Sequence, residues 1–505
     1  MYRCSQIHDV RVKVISIVQP GVILHNRYIA STTCNSNAAQ TYNLTSPGVD
    51  SVICNGISYI QPHNYTVGIC FDGSDVSYID AARNTGNLNW WNTIIQSRTP
   101  MPWMDYSVDE TNNNIHVRGG HYGLVSAQMP TFTNPNNISI VCGCSANTHG
   151  ITGNYTYDRN SKTEQMMNVA SMIRCPTLFH TLYHTFNTPI RIITVKNKLL
   201  NMLKHGFENT PFTDQFIAVS VENIGAGVTD SDQYVLNLMS ECGMSSELPG
   251  IYDSNISIAA LQITEILLKH DILQRSKLTP RQQLLAPYPI YYVSTTDYVQ
   301  HRYTPDNEHA LKFYHDFDQH LAKLHSFNIN LGITADHGMN DKVLHDNKPK
   351  VIYLDDLLHE YNVSDAVVIL PITDPYIKHH SGLGSYAEIY LNNTNNIDSI
   401  LQQLRSNDGI YTAMNRADAC MNLELPYDLI GDIVVLGDRH TVLGKSAIHH
   451  NIDNITGLRS HGGLEEIKVP MLINQPITHA YSQKLTKGQT RNWHLFDYLL
   501  NGIQQ

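Results

Sequence analysis

The sequence predicts an α/β protein with a mostly parallel sheet that is flanked by helices. From about residue 60, short apolar runs end in polar clusters and are followed by helical stretches, as at residues 66–71, 289–294 and 329–334. Strands that alternate with helices build parallel sheets. Ligands of such sheets collect at the carboxyl ends of the strands. The aspartates that follow these runs are therefore expected at one edge of the sheet.

The remaining segments divide the chain further. Residues 10–24 alternate apolar and polar side chains and predict one or two strands, whereas the Asn- and Ser-rich stretch that follows predicts a loop. A second composition shift predicts a smaller α+β cap domain with its own strands. The predicted division is an N-terminal extension at 1–52, a catalytic core at 53–344 and 456–505 with a surface insertion at about 86–120, and the cap at 345–455.

Composition limits the class of partner. The 505 residues are 42% hydrophobic and 16% charged, which is typical of a globular protein, and the net charge is −11. An acidic chain is not attracted to nucleic acid or to anionic membranes, so neither is expected as a partner. No apolar run is long enough for a membrane span, and no signal peptide is evident. The scattered, odd-numbered cysteines predict reduced thiols and a cytoplasmic location.

Two pairs of residues have the spacing of metal ligands. Asp297 and His301 are four residues apart at a predicted helix start, so both side chains can face one metal ion. Asp336 and His337 follow an apolar strand and can point at one centre. Alone, the first pair is better explained as an ordinary helix-surface pair. The second is a weak signal alone, because an Asp at a strand end is often just a helix cap.

Two single residues complete a candidate ligand set. Asp72 ends a predicted strand beside Gly73, and His461 lies between residues that predict a tight loop. Oxygen and nitrogen ligands of this kind suit zinc or a similar metal with open positions. The order Asp, Asp-x-x-x-His, Asp-His-Gly, His is the informative feature, because chance rarely delivers all four parts in this order.

Thr133 is the candidate nucleophile. It precedes Pro135, which fits the first turn of a helix. A threonine at this place is ordinarily an N-cap. A metal that lowers the pKa of its hydroxyl would instead make it a nucleophile, with the helix N-terminus facing an anion. From the residues alone, Thr131 is an alternative.

The chain resembles the phosphonoacetate hydrolase family of the alkaline phosphatase superfamily, over about residues 53–470. The resemblance implies an alkaline-phosphatase-like core that uses two zinc ions per subunit to cleave a carbon–phosphorus bond. The motifs are FTNPNNISI (132–140), HGITGNY (149–155), MMN (166–168), VKNKL (195–199), STTDYVQH (294–301), DPY and HH (374–376, 379–380), GDIVVLGDRHTVL (431–443) and LRSHGG (458–463).

The resemblance also implies a role for each site residue. Thr133, rather than Thr131, attacks phosphorus and forms a phosphothreonine. Asn154 contacts the phosphonate oxygens, and Lys196 and Lys198 hold the substrate carboxylate, into which the leaving carbanion spreads its charge. The implied ligands are Asp72, Thr133, Asp336 and His337 for one zinc, and Asp297, His301 and His461 for the other.

The sequence leaves alternative functions open. The chain departs from the family in its N-terminal extension, in the segment 219–227 and in a longer segment before Thr133, and the last of these could change the substrate. A phosphodiesterase or phosphomonoesterase with the same metals is the nearest alternative, followed by a non-catalytic phosphonate-binding protein and a metal-dependent mutase. The expected partner is a small anionic phosphonate, and a homodimer is the oligomer considered.

Overall fold

A computed structural model of the chain describes residues 50–86, 88–96, 120–363, 365–372, 383–450, 452 and 455–504. The strands expected within residues 10–24 lie outside this part of the chain. So do the DPY and HH motifs and most of the expected insertion.

The strands are short, and those of the main sheet are almost wholly buried. They are β1 (Ser51–Cys54), β2 (Ile57–Ile60), β3 (Thr66–Cys70), β4 (His121–Ser126), β5 (Tyr155–Asp158), β6 (Thr163–Met166), β7 (Ile190–Thr194), β8 (Phe216–Ser220), β9 (Ile290–Ser294), β10 (Asn330–Thr334), β11 (Asn340–Asp341), β12 (Val351–Tyr353), β13 (Ala366–Ile369), β14 (Tyr386–Leu391), β15 (Ile410–Asn415), β16 (Ile433–Gly437), β17 (Val442–Gly444), β18 (Arg459–Ser460) and β19 (Lys468–Ile473).

Helices follow most of the main-sheet strands. They are α1 (Val76–Asn84), α2 (Asn89–Gln96), α3 (Thr133–Cys142), α4 (Ala146–His149), α5 (Leu178–Phe186), α6 (Asn197–Leu203), α7 (Val221–Ile224), α8 (Asp230–Glu241), α9 (Asn255–Ser276), α10 (Pro280–Leu285), α11 (Tyr298–Arg302), α12 (Glu308–His325), α13 (Leu354–Glu360), α14 (Ile397–Arg405), α15 (Arg416–Leu423), α16 (His479–Thr486) and α17 (Leu495–Asp497). Short 3₁₀ turns lie at Ala170–Met172, Leu464–Glu466 and Asn492–His494, and a π-turn at Tyr498–Gly502.

The main sheet has seven strands in the order β4-β19-β10-β3-β9-β7-β8. The strands from β10 to β8 are mutually parallel, and β19 runs antiparallel to both of its neighbours. The expected mostly parallel sheet is confirmed. The three apolar runs that predicted it are β3, β9 and β10, and they lie side by side.

Both faces of this sheet are covered by helices. Along β9, Tyr291 and Val293 join the apolar core that includes α9 and α12, whereas Ile290 and Tyr292 join the core that includes α3 and α5. Successive side chains of a strand point to opposite faces, so the two cores lie on the two sides of the sheet. This explains why the strands are apolar throughout rather than alternating.

A second, antiparallel sheet of four strands has the order β13-β14-β16-β15. Three of its strands, β13, β14 and β16, coincide with apolar runs of the segment predicted as a cap, at residues 366–372, 387–391 and 432–437. The domain boundaries at 345 and 455 stay a prediction. Within the described residues, no helix is both long enough and apolar enough to cross a membrane.

The prediction of a surface insertion at about 86–120 is wrong for the part that forms α2 (Asn89–Gln96). Trp90 and Trp91 of α2 are 6% and 2% exposed. Their backbone NH groups donate to the carboxylate of Asp318 in α12 at 2.9 and 2.8 Å. Two large apolar rings and a carboxylate cap at the helix start make α2 part of the core. Residues 97–119 lie outside the described part.

Candidate metal centre and nucleophile

The carboxyl ends of four neighbouring strands supply most of the predicted site. Asp336 follows β10, Asp72 follows β3, Asp297 follows β9 and Lys196 follows β7, in the same order as the strands lie in the sheet. Parallel strands bring these ends to one edge, so residues far apart in sequence become neighbours. The topology alone therefore gathers three carboxylates and one ammonium group.

Six of the seven predicted ligands, all but Thr133, form one buried group, which we call the ligand cluster: Asp72, Asp297, His301, Asp336, His337 and His461. His301 Nε2 lies 3.0 Å from Asp297 Oδ2, and His461 Nε2 lies 3.8 Å from the same oxygen. His337 Nε2 lies 3.4 Å from Asp72 Oδ1 and 3.7 Å from Asp336 Oδ2. Asp72, Asp336 and His337 form one group that could hold a metal ion, and Asp297, His337 and His461 form another.

Each imidazole of the cluster is oriented by a backbone carbonyl. The Nδ1 atoms of His301, His337 and His461 donate at 2.9, 2.9 and 2.7 Å. The acceptors are the carbonyl oxygens of Arg459, Gly338 and Thr131, in that order. Such bonds leave each Nε2 directed at the carboxylates, which is the arrangement seen around metal-binding histidines. At 3.0 Å, the contact between His301 Nε2 and Asp297 Oδ2 requires a proton or a cation between the two atoms.

Unsatisfied atoms show that the cluster fits a metal. Asp72 Oδ1 and His337 Nε2 are buried and have no hydrogen-bond partner, although such groups are normally paired. Burial, together with the negative charges of Asp297 and Asp336, raises the pKa of Asp72 well above its usual value. Burial and the nearby His337 and His301 hold the pKa of His461 well below its usual value. A divalent cation would satisfy these atoms and offset the cost of burying like charges together.

Asp297 differs from Asp72 in its surroundings. Burial acts to raise the pKa of Asp297, but Lys196 and His301 outweigh it and hold that pKa well below its usual value. Lys196 Nζ donates to Asp72 Oδ2 and to Asp297 Oδ1, both at 3.1 Å. Lys196 thus places a positive charge between carboxylates from two adjacent strands.

Thr133 is the first residue of α3, and Phe132 is its N-cap. The alternative of Thr133 as an ordinary N-cap is therefore wrong, because the residue already lies inside the helix. Pro135 lies in the first turn, as expected. Thr133 is 6% exposed, and Asn137 Nδ2 donates both to its carbonyl oxygen at 3.0 Å and to Asp336 Oδ2 at 3.2 Å. One side chain thus links the start of α3 to the ligand cluster.

Asn154 lies beside the same helix start. Its side-chain oxygen accepts the backbone NH of Asn134 at 3.1 Å, and its own backbone NH donates to the carbonyl of Pro371 at 2.8 Å. With its oxygen engaged by the helix, the amide NH₂ is the end of the side chain that can meet an anion. Asn154 is 7% exposed, so it is buried, and its bond to Asn134 places it next to Thr133.

The two predicted lysines are placed differently. Lys196 is the N-cap of α6, and its side chain is 20% exposed and turned to the ligand cluster. Lys198 lies in the first turn of α6 and is exposed. Two residues along a helix start rotate a side chain away from its neighbour, which separates the lysines although both follow β7.

A buried polar network under the cluster was not predicted from the sequence. The Asn137 side-chain oxygen accepts the hydroxyls of Tyr292 at 2.6 Å and Ser294 at 2.9 Å. With the two bonds from Nδ2, all of its polar capacity is used. The available signal was an asparagine four residues after Thr133, one helical turn along the same face.

Thr131 has a structural role in holding the His461 loop. Its hydroxyl accepts the NH of Gly462 and donates to the carbonyl of Gly463, both at 2.9 Å. Gly462 has φ of 110°, and a Cβ there would lie 2.5 Å from the Phe132 ring, so only glycine fits. Thr131 is fully buried and its hydroxyl is committed to this loop.

The family described as Type I phosphodiesterase / nucleotide pyrophosphatase matches residues 66–464 of this chain. The chain is also similar to the crystal structure of phosphonoacetate hydrolase from Sinorhizobium meliloti 1021 in complex with phosphonoacetate, with 31% identity and a TM-score of 0.72. That match covers 89% of this chain and 98% of the other. The same protein in complex with phosphonoformate matches at 32% identity, with the same coverage and TM-score.

A more distant similarity concerns the fold alone. Murine ectonucleotide pyrophosphatase / phosphodiesterase 5 matches with a TM-score of 0.51 and 15% identity, covering 87% of this chain and 96% of that one. The shared architecture extends over nearly the whole of both chains.

Proposed function

Because this chain belongs to the type I phosphodiesterase / nucleotide pyrophosphatase family, a family of hydrolases, we propose that it hydrolyses the carbon–phosphorus bond of phosphonoacetate to acetate and phosphate. Support comes from its similarity to a phosphonoacetate hydrolase crystallised with phosphonoacetate. The observation that carries the proposal is the ligand cluster with unsatisfied Asp72 Oδ1 and His337 Nε2, directly beside the start of α3.

We propose that two zinc ions occupy the cluster. Imidazole nitrogens and carboxylate oxygens are the ligands that zinc takes in catalytic sites. When bound, the ions would lower the pKa of the attacking hydroxyl and neutralise charge on the phosphorus group. One would be held by Asp72, Thr133, Asp336 and His337, and the other by Asp297, His301 and His461.

The side chains of the protein would have separate roles in attack on phosphorus, binding of the phosphonate and binding of the carboxylate. Thr133 Oγ1 attacks phosphorus and forms a phosphothreonine, which water then hydrolyses. The Asn154 amide and the N-terminus of α3 donate to the anionic phosphonate oxygens. Lys196 and Lys198 bind the substrate carboxylate. As the carbon–phosphorus bond breaks, the negative charge of the leaving carbon spreads into that carboxylate, where the ammonium groups stabilise it.

A second candidate is phosphodiester or phosphomonoester hydrolysis with the same nucleophile. It is favoured by the description of the matching family. An ester substrate has no need of a carboxylate-binding group, so the Lys196 ammonium beside the cluster favours a carboxylated phosphonate. A non-catalytic phosphonate-binding protein would need no residue in the place of Thr133.

Phosphorus NMR of the purified protein with phosphonoacetate tests the proposal. We expect inorganic phosphate to appear with added zinc and to stop appearing when a chelator is present. A parallel sample with a nitrophenyl phosphodiester separates the candidates. Cleavage of the diester without cleavage of phosphonoacetate would favour the second candidate, and tight binding without release of phosphate would favour the binding protein.

Substitution of the lysines tests substrate recognition. Lys196→Ala should raise KM for phosphonoacetate more than Lys198→Ala, because Lys196 lies at the cluster and Lys198 is exposed. Lys204→Ala, at the far end of α6, is the matched control. If both lysine variants keep wild-type kinetics, the assignment of a carboxylated substrate fails. The cytoplasmic location and the homodimer stay predictions.

A further inference from the structure

Four cysteines converge behind α3, away from the ligand cluster. Cys54 ends β1, Cys142 ends α3, Cys144 follows it by two residues, and Cys175 precedes α5. All four are free thiols. Together these residues form what we call the thiol cluster, and the proposed hydrolysis has no use for them.

The geometry of the thiol cluster favours a disulfide over a metal site. Cys144 Sγ and Cys175 Sγ lie 3.8 Å apart, and a disulfide needs about 2.05 Å between sulfurs, so a small movement of two side chains would suffice. Among the described residues, the groups able to hold a metal ion are both in the ligand cluster. A cation site made of these thiols is therefore not supported.

The surroundings single out Cys175 as the reactive thiol. Hydrogen bonds from Cys142 and then Cys144 hold the pKa of Cys175 below its usual value, whereas the pKa values of both partners are raised. Cys175 is partly exposed, whereas Cys142 and Cys144 are buried. A partly exposed cysteine with a lowered pKa beside a second thiol has the features of a peroxide-reactive cysteine.

We propose that Cys175 is oxidised by hydrogen peroxide and is then linked to Cys144 as a disulfide. The Cys175 sulfur attacks one peroxide oxygen, the O–O bond breaks, and the other oxygen leaves as hydroxide. This hydroxide takes up the proton that the Cys175 thiol lost, which gives water and a sulfenic acid. The Cys144 sulfur then attacks the Cys175 sulfur, the S–O bond breaks, and the released hydroxide takes the Cys144 proton. Two thiols are oxidised to one disulfide, and the peroxide is reduced to two waters.

Peroxide treatment of the full chain, followed by mass spectrometry of the non-reduced digest, tests this inference independently of the proposed function. We expect a cross-linked peptide that joins Cys175 to the segment containing Cys142 and Cys144, and its loss on treatment with dithiothreitol. Because no Lys or Arg separates Cys142 from Cys144, variants must identify the partner. Cys144→Ser should abolish the cross-link, and Cys142→Ser should keep it.

Chemical trapping of the sulfenic acid tests the proposal even if a variant loses the cross-link because its packing has changed. In Cys144→Ser the sulfenic acid cannot be resolved, so dimedone should label Cys175 after peroxide treatment. Cys242→Ser, which changes an exposed cysteine on another helix end, should behave as wild type. A cross-link that persists in Cys144→Ser, or wild-type protein with neither a cross-link nor dimedone labelling at Cys175, would overturn the proposal.

Discussion

Two buried acidic regions of this molecule are handled in opposite ways. In the second sheet, Glu388 is 1% exposed and both of its oxygens are satisfied, by the hydroxyls of Tyr386 at 3.0 Å and Tyr390 at 2.7 Å and by the NH of Gly431 at 3.0 Å. At the carboxyl edge of the main sheet, Asp72 is equally buried, yet its Oδ1 atom has no hydrogen-bond partner. Burial of a carboxylate is therefore not what marks a metal site; unsatisfied acceptors facing one another are.

Removal of the Thr133 hydroxyl should have the largest effect on turnover, and it tests whether the region around Asp72 is a catalytic site. We expect Thr133→Ala to lose at least about a thousandfold in kcat, as nucleophile removal does elsewhere. Thr133→Ser, which keeps a hydroxyl, should retain measurable turnover. Phosphate release followed by NMR measures both. Full activity in the alanine variant would show that Thr133 is not the nucleophile.

The pH dependence of stability tests the second half of this comparison, the buried and fully hydrogen-bonded Glu388. Burial raises the pKa of Glu388 from 4.5 to about 7. Between these values the unfolded chain loses a proton that the folded chain keeps. The protonated Glu388 therefore contributes to the free energy of unfolding fully below the unfolded pKa. This contribution, roughly 3 kcal/mol, is lost as the pH rises through about 7.

Glu388→Gln should remove this loss. Urea unfolding midpoints at about pH 5 and about pH 8 should fall with pH more steeply in wild type than in the variant. Glu241→Gln, at an exposed position near the end of α8, is the control. Identical pH slopes in wild type and Glu388→Gln would mean that Glu388 is already ionised in the folded protein at low pH.

Loss of the Asn137 amide should weaken metal binding without touching a ligand. Asn137→Ala removes the donor to Asp336 Oδ2 and to the Thr133 carbonyl, so we expect about 10–100-fold weaker zinc affinity. Competition with a chromophoric chelator measures the affinity. Tyr292→Phe removes one donor to the Asn137 oxygen and should have a smaller effect. Unchanged zinc affinity in a folded Asn137→Ala protein would contradict this role.

Thr131→Val should have the smallest effect on turnover. Valine matches threonine in shape but leaves the NH of Gly462 without its acceptor, at a cost of about 1–3 kcal/mol in stability. The carbonyl that orients His461 remains, so we expect kcat within about tenfold of wild type. A loss as complete as that of Thr133→Ala would reverse the choice between the two threonines.

The contrast also shows what sequence patterns could predict. The apolar runs indicated the strands, and the order of their carboxyl ends was enough to bring Asp72, Asp297 and Asp336 together. The four-residue spacing placed His301 against Asp297, where it is found. These features depend on period and topology, which sequence carries directly.

Other features depend on packing between distant segments. The burial of α2 depends on Asp318, more than two hundred residues away, so a Trp-rich stretch between polar runs looked like a surface insertion. The role of Asn137 depends on Tyr292 and Ser294, which no local pattern connects to α3. Lys198 could be matched by motif, but its exposure is set by the turn of α6.

Backbone carbonyls, rather than side chains, orient the three histidines of the ligand cluster. Where a carboxylate orients a ligand histidine, a single substitution can remove it. Here the acceptors at Thr131, Gly338 and Arg459 belong to the main chain, so no exchange of side chain deletes them. The orientation of the imidazoles can therefore be lost only by displacing the loops that carry them, and the Thr131 hydroxyl, which bonds Gly462 and Gly463, is one group that keeps such a loop in place.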